Sequence, residues 1–156
     1  MIRRLLAITF LLALPIAGVF AQQKPDFSGT WKLNLAKSFL GELGGPNSRT
    51  DVIIHKAQTL SVSTVAANMH GKEEYKLDYT TDGKESINIL SPYQVKSIVK
   101  WVGGNLVISS RFVYRNLNIT SEATWTLSPD GNTLTIKTNV KGDLGNHTQR
   151  FVLEKQ

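Results

Sequence analysis

From Thr50 to the end of the chain, no apolar pattern of helical period runs for a useful length. Apolar and polar residues instead alternate in short runs broken by turn residues, the mark of strands that bury one face. Residues 73–80 set Tyr75, Leu77 and Tyr79 against Glu74, Lys76 and Asp78. Residues 105–114 place Leu106, Ile108, Ser110, Phe112 and Tyr114 on one face, and residues 118–127 do the same with Ile119, Ser121, Ala123, Trp125 and Leu127. Asp82-Gly83 reads as a two-residue hairpin turn, Gly103-Gly104 as the next, and Ser128-Pro129-Asp130-Gly131 as a third. The run after Asp82-Gly83 is expected to turn Ile87 and Ile89 inward.

About ten short strands joined in this way select an antiparallel meander. An open sheet of that size would leave two bare edges and an uncovered apolar face, with no helix to cover it. Closure removes both problems, so the expected fold is all-β: an up-and-down antiparallel barrel of about 8–10 strands. A sandwich is second, because it needs long cross-sheet connections that the sequence scarcely offers.

The first strand is the most informative. In residues 26–35, Gly29 stands two places before Trp31, and Trp31, Leu33 and Leu35 share a face. Residues 36–49 follow, with Gly41, Gly44, Gly45 and Pro46, which allow one or two helical turns and no more. Phe39, Leu40 and Leu43 put apolar side chains in this loop, either as a flap over one end of the barrel or as a short helix against its wall.

Residues 1–21 read as a secretory signal. Arg3 and Arg4 precede the apolar run from Leu5 to Ala17, and Val19-Phe20-Ala21 predicts cleavage between Ala21 and Gln22. The run is short for a membrane span and carries Pro15, so no stable membrane insertion is expected after cleavage. A secreted or periplasmic domain of residues 22–156 remains. It carries 16 Lys and Arg (18 less Arg3 and Arg4) against 12 Asp and Glu, a mild surplus without the basic clusters of a nucleic-acid interface. Cysteine is absent, so stability rests on a buried core and there is no thiol nucleophile.

Barrels of this size are too wide for side chains to fill completely. Small and hydroxylic residues on the inward faces point to an apolar pocket edged with hydroxyls, suited to a small hydrophobic molecule with one polar end. The expected lining is Tyr75, Tyr79, Trp101, Ile108, Ser110, Phe112, Ser121, Ala123, Trp125 and Ile136. The same residues also fit a fully packed core.

Phe27-Ser28-Gly29-Thr30-Trp31-Lys32-Leu33 resembles the first-strand signature of the calycin superfamily: the Gly-x-Trp of lipocalins and the Phe-x-Gly-x-Trp-Lys-Leu of fatty-acid-binding proteins. With Pro25-Asp26 before it and Lys37-Ser38 after it, the string also resembles secreted bacterial lipocalin-like proteins. The resemblance implies a barrel closed at the Trp31 end and open at the other, with a lipophilic ligand inside. It also implies a basic side chain across the indole, Arg150 first and Lys155 second, with Gly29 and Trp31 as the rest of the structural motif. Four features of those families are missing: a two-helix lid, a Tyr two places after Arg150, a C-terminal helix and disulfides.

No catalytic set is visible. His55, His70 and His147 lie apart, without a partner at zinc-ligand spacing, and no serine sits in a nucleophile context. No metal or cofactor is expected. The leading reading is therefore a non-enzymatic binding protein for a small lipophilic molecule. The alternative is an envelope structural or interaction protein with a filled barrel and a protein partner.

Overall fold

The computed structural model describes residues 24–42, 44–143 and 145–156. The expected signal segment and Leu43 lie outside them. Ten strands follow in order: β1 (Gly29–Leu33), β2 (Ser48–Lys56), β3 (Thr59–Asn68), β4 (Gly71–Thr80), β5 (Glu85–Leu90), β6 (Tyr93–Val102), β7 (Asn105–Tyr114), β8 (Leu117–Leu127), β9 (Thr133–Gly142) and β10 (Gly145–Lys155). All pair antiparallel in one sheet of order β4-β3-β2-β1-β10-β9-β8-β7-β6-β5. The first strand thus pairs with the last, Trp31 opposite Lys155, and the two edges β4 and β5 meet to close a nearly complete barrel.

β1 is shorter than expected. Leu35 leaves the inward face for a 3-10 turn, Leu35–Lys37, where Asn34 Oδ1 accepts the Lys37 N–H, and it is exposed. The chain then runs beside β10, with Phe39 and Arg150 exchanging backbone hydrogen bonds. Phe39 points outward, while Leu40 packs against the core.

The core fills the half of the barrel around Trp31. Phe27, Trp31, Leu33, Ile53, Leu60, Val62, Val99, Leu106, Ile108, Trp125, Leu134, Ile136, Phe151 and Leu153 form one buried cluster. The Trp31 indole N–H donates to the Phe27 carbonyl at 2.9 Å, which ties the lead-in segment across this end as a plug. Lys155 Nζ lies 5.4 Å from the indole centroid, so its stem and charge cap the ring. Gly29 beside it has a φ of +144°, a conformation that L side chains rarely adopt, and a Cβ there would also push the end of the Lys155 stem off the ring. Arg150, the first candidate for this cap, is instead exposed on the outer face, directed at the Lys37 carbonyl. Alternation along β10 explains the exchange, because Phe151, Leu153 and Lys155 share the inward parity and Arg150 does not.

β5 also departs from expectation. Ile87 and Ile89 are 55% and 64% exposed, while Ser86 and Asn88 are buried. Asp82-Gly83 does make a turn, but β4 and β5 share no backbone ladder. Asp82 accepts from the Thr80 hydroxyl and the Lys84 N–H, which holds the carboxyl down at about 2. Side chains bridge the seam instead. Asn88 Oδ1 accepts the Asp78 N–H at 2.8 Å, Asn88 Nδ2 donates to the Asp78 carbonyl at 3.0 Å, and Ser86 Oγ accepts the Thr80 N–H. One amide side chain here does the work of a ladder residue. Asn88→Ala should therefore lower stability by about 1–3 kcal/mol in urea unfolding, because it strips both Asp78 backbone groups of partners. Amide exchange should accelerate at Asp78 before it does at the β9–β10 pair.

The plug carries a titratable group. The His55 side chain is 8% exposed, and its Nδ1 accepts the Phe27 N–H at 3.5 Å. Its Nε2 has no partner among the described residues. Burial pushes its pKa below 6.5, Lys24 adds to this, and Asp26 opposes it. The unfolded chain then binds the proton more readily than the folded one. Stability from neutral His55 is complete above about pH 6.5 and falls as pH drops through the lowered native value. Urea midpoints should decline between about pH 7.5 and pH 5 in the wild type, and much less in His55→Gln.

Candidate functional site

Away from Trp31 the barrel interior becomes polar and open. Inward positions follow parity back from Ile53 on β2, which brings Asp51 and Arg49 inside, while Val52 and Ile54 stay exposed. Asp51 lies opposite Trp31 on one side and Thr64 on the other, and Thr64 lies opposite Tyr75. A transverse row thus runs from the hydrophobic plug into a charged pair.

The pair is tightly built. Arg49 Nη2 lies 2.8 Å from Asp51 Oδ2 and Arg49 Nε lies 2.9 Å from Oδ1, while Thr64 donates its hydroxyl to Oδ1 at 2.8 Å. Asp51 is wholly buried. The guanidinium carbon lies 5.3 Å from the Phe151 ring centroid, so β10 supplies an aromatic floor. Burial works against the charge on Arg49, but Asp51 and, beyond it, Tyr75 and Tyr79 outweigh this and raise its pKa above the ordinary value. Burial likewise pushes the Tyr79 phenol up, so it stays a neutral donor.

Arg49 opens on a cavity of about 490 Å³ that includes Tyr75, Phe151, Gln149, Ala66 and Glu73 in its wall. Its mouth lies between the β3–β4 hairpin, with Met69 and His70, and the segment 44–47. Gln149 Nε2 fixes that segment by donating to the Leu40 and Gly44 carbonyls, at 2.9 and 2.7 Å. The volume falls within the range of small-molecule sites, roughly 300–1,000 Å³. A guanidinium and a phenol converge on its polar side, with an aromatic ring beneath them. That arrangement can hold the oxygen end of an apolar molecule. Its wall, among the described residues, holds no Ser, Thr or Lys. Among the described residues there is no group of three or more His, Asp or Glu side chains placed to hold a metal ion.

The expected lining residues are divided by the structure. Tyr75 lines the cavity and Tyr79 lies beside the Arg49 cluster. Ile108, Trp125 and Ile136 belong to the packed core, with Ala123 and Trp101 against it. Trp101 sits at the plug, 6.0 Å from Phe27 and 5.8 Å from His55 between centroids, under the Lys24 ammonium. Ser110 pairs with Ser97, oxygen to oxygen at 2.8 Å, so these inward hydroxyls satisfy each other without a ligand. Phe112 lines a separate depression with Tyr93 and Ile119, and Ser121 lines a third with Glu122 and Lys141. The expected lining omitted Arg49, Asp51, Thr64, Gln149 and Phe151. The spacing Arg49-x-Asp51-x-Ile53 held the clue, since one buried Ile at strand period carries the two charges inward with it.

No family model matches the chain, and no curated protein matches it. Solved structures do share its fold. Zebrafish ileal bile acid-binding protein complexed with cholic acid superposes with a TM-score of 0.61 at 19% identity, covering 83% of this chain and 98% of that one. A secretory abundant heat soluble protein from Ramazzottius varieornatus gives 0.61 at 15% identity, covering 83% and 94%. A Schistosoma mansoni fatty acid binding protein in complex with arachidonic acid gives 0.53 at 14% identity, covering 83% and 96%. The fold is calycin-like.

Proposed function

We propose that this chain is an exported carrier of a small lipophilic molecule, held in the open half of the barrel with its polar end against Arg49 and Tyr75. The observation that carries the reading is the interior guanidinium. A charge fixed by Asp51 and Thr64 and laid over Phe151 costs free energy to bury, and it borders a cavity of ligand size. The likeness of fold to proteins solved with cholic acid and with arachidonic acid supports it. Export rests on the sequence of residues 1–21, and an intact mass beginning at Gln22 in protein from the native host would test it. The reading assigns no catalysis.

Titration with the neutral fluorophore N-phenyl-1-naphthylamine should give a blue-shifted enhancement that saturates at one probe per chain. The paired change Arg49→Met with Asp51→Leu, which leaves no bare charge behind, should weaken its displacement by lipids with an oxygen end group. A folded protein that leaves the probe dark would contradict the carrier. The second reading, a filled barrel that acts by contact with another envelope protein, draws on the packed half around Trp31 and on Val52, Ile54 and Val65, which are exposed on the outer faces of β2 and β3.

A further inference from the structure

We propose that the cavity selects an uncharged lipophilic molecule, an alcohol, ester or ketone whose oxygen accepts from Arg49, and discriminates against free carboxylates. This rests on the carrier reading of the same site and names its ligand class.

The charges around the cavity decide it. Arg49 is one cation, and two carboxylates accompany it: Asp51 bonded to the guanidinium and Glu73 exposed at the rim. Among the described residues, no other Lys or Arg lines this space. The nearest lysines in sequence, Lys72 and Lys76, alternate away from Tyr75 to the outer face and pair there with Glu74 and Asp78. Asp51 already occupies Nε and one Nη2 direction, so its charge neutralises the guanidinium at close range. A carboxylate ligand would bring a third negative charge to one positive charge in a partly desolvated space. A hydroxyl or carbonyl oxygen can take the remaining guanidinium N–H groups without that repulsion. Tyr75, in the same wall, adds a hydroxyl. The chain would thereby differ from the calycin-like proteins solved with cholic and arachidonic acids, which are both carboxylic acids.

Displacement of N-phenyl-1-naphthylamine tests this with the wild-type protein, using dodecanol, methyl dodecanoate and dodecanoate below their aggregation limits near neutral pH. Dodecanol and the ester should compete at least about tenfold more strongly than dodecanoate. Glu73→Gln, at an exposed rim position, should narrow that gap by strengthening dodecanoate alone. Equal or tighter binding of dodecanoate to the wild type would overturn the inference while leaving the carrier standing. A gap that Glu73→Gln leaves unchanged would also overturn it, because the discrimination would then lie elsewhere. If neither the probe nor any lipid binds, the carrier reading falls and this inference falls with it.

Discussion

Trp31→Ala should destabilise the protein by about 3–5 kcal/mol in urea unfolding, the range for removing a large aromatic from a packed core. The indole is fully buried, its N–H holds the Phe27 carbonyl, and Lys155 covers its face. Its loss would empty the meeting point of β1, β10 and the plug, and the surrounding rings cannot collapse into the space without moving Phe27. Trp31→Phe keeps most of the volume and loses the hydrogen bond, so its effect should be smaller. A near-neutral Trp31→Ala would mean that the closed end is held by something other than this ring.

Asp51→Ala should have an effect of similar size for an electrostatic reason. Breaking a buried ion pair from one side strands the other charge, at about 3–5 kcal/mol. Asp51 is wholly buried, and it anchors both the Arg49 guanidinium and the Thr64 hydroxyl. The double change Arg49→Met with Asp51→Leu should recover much of the loss, because replacing both partners with apolar groups leaves no bare charge. Equal losses in the single and double variants would show that the pair matters through packing rather than charge.

The sequence was informative where its signals are local and fails where a single strand depends on a neighbour. The Gly29–Trp31 motif, the turn residues and the alternation of β4, β7 and β8 are local, and each led to the observed element. The seam is not local. Asp82-Gly83 marks a turn but cannot say whether the strands on either side will exchange backbone bonds, and here Asn88 and Ser86 take that place. Those inward polar side chains also reverse the expected faces of Ile87 and Ile89, because alternation assigns the apolar set to the core by default. The same default hid Arg49 and Asp51, whose burial is sustained by each other rather than by hydrophobicity. Only strand parity counted from a buried neighbour reveals both, as it also picks Lys155 over Arg150.

The central claim, that the open half of this barrel is made to hold a small lipophilic guest, is tested most directly by native mass spectrometry of the protein isolated from its own host. The account predicts a mass above that of the chain beginning at Gln22 by one small molecule, lost on extraction with organic solvent. A bare chain mass, together with failure to take up added dodecanol, would contradict it.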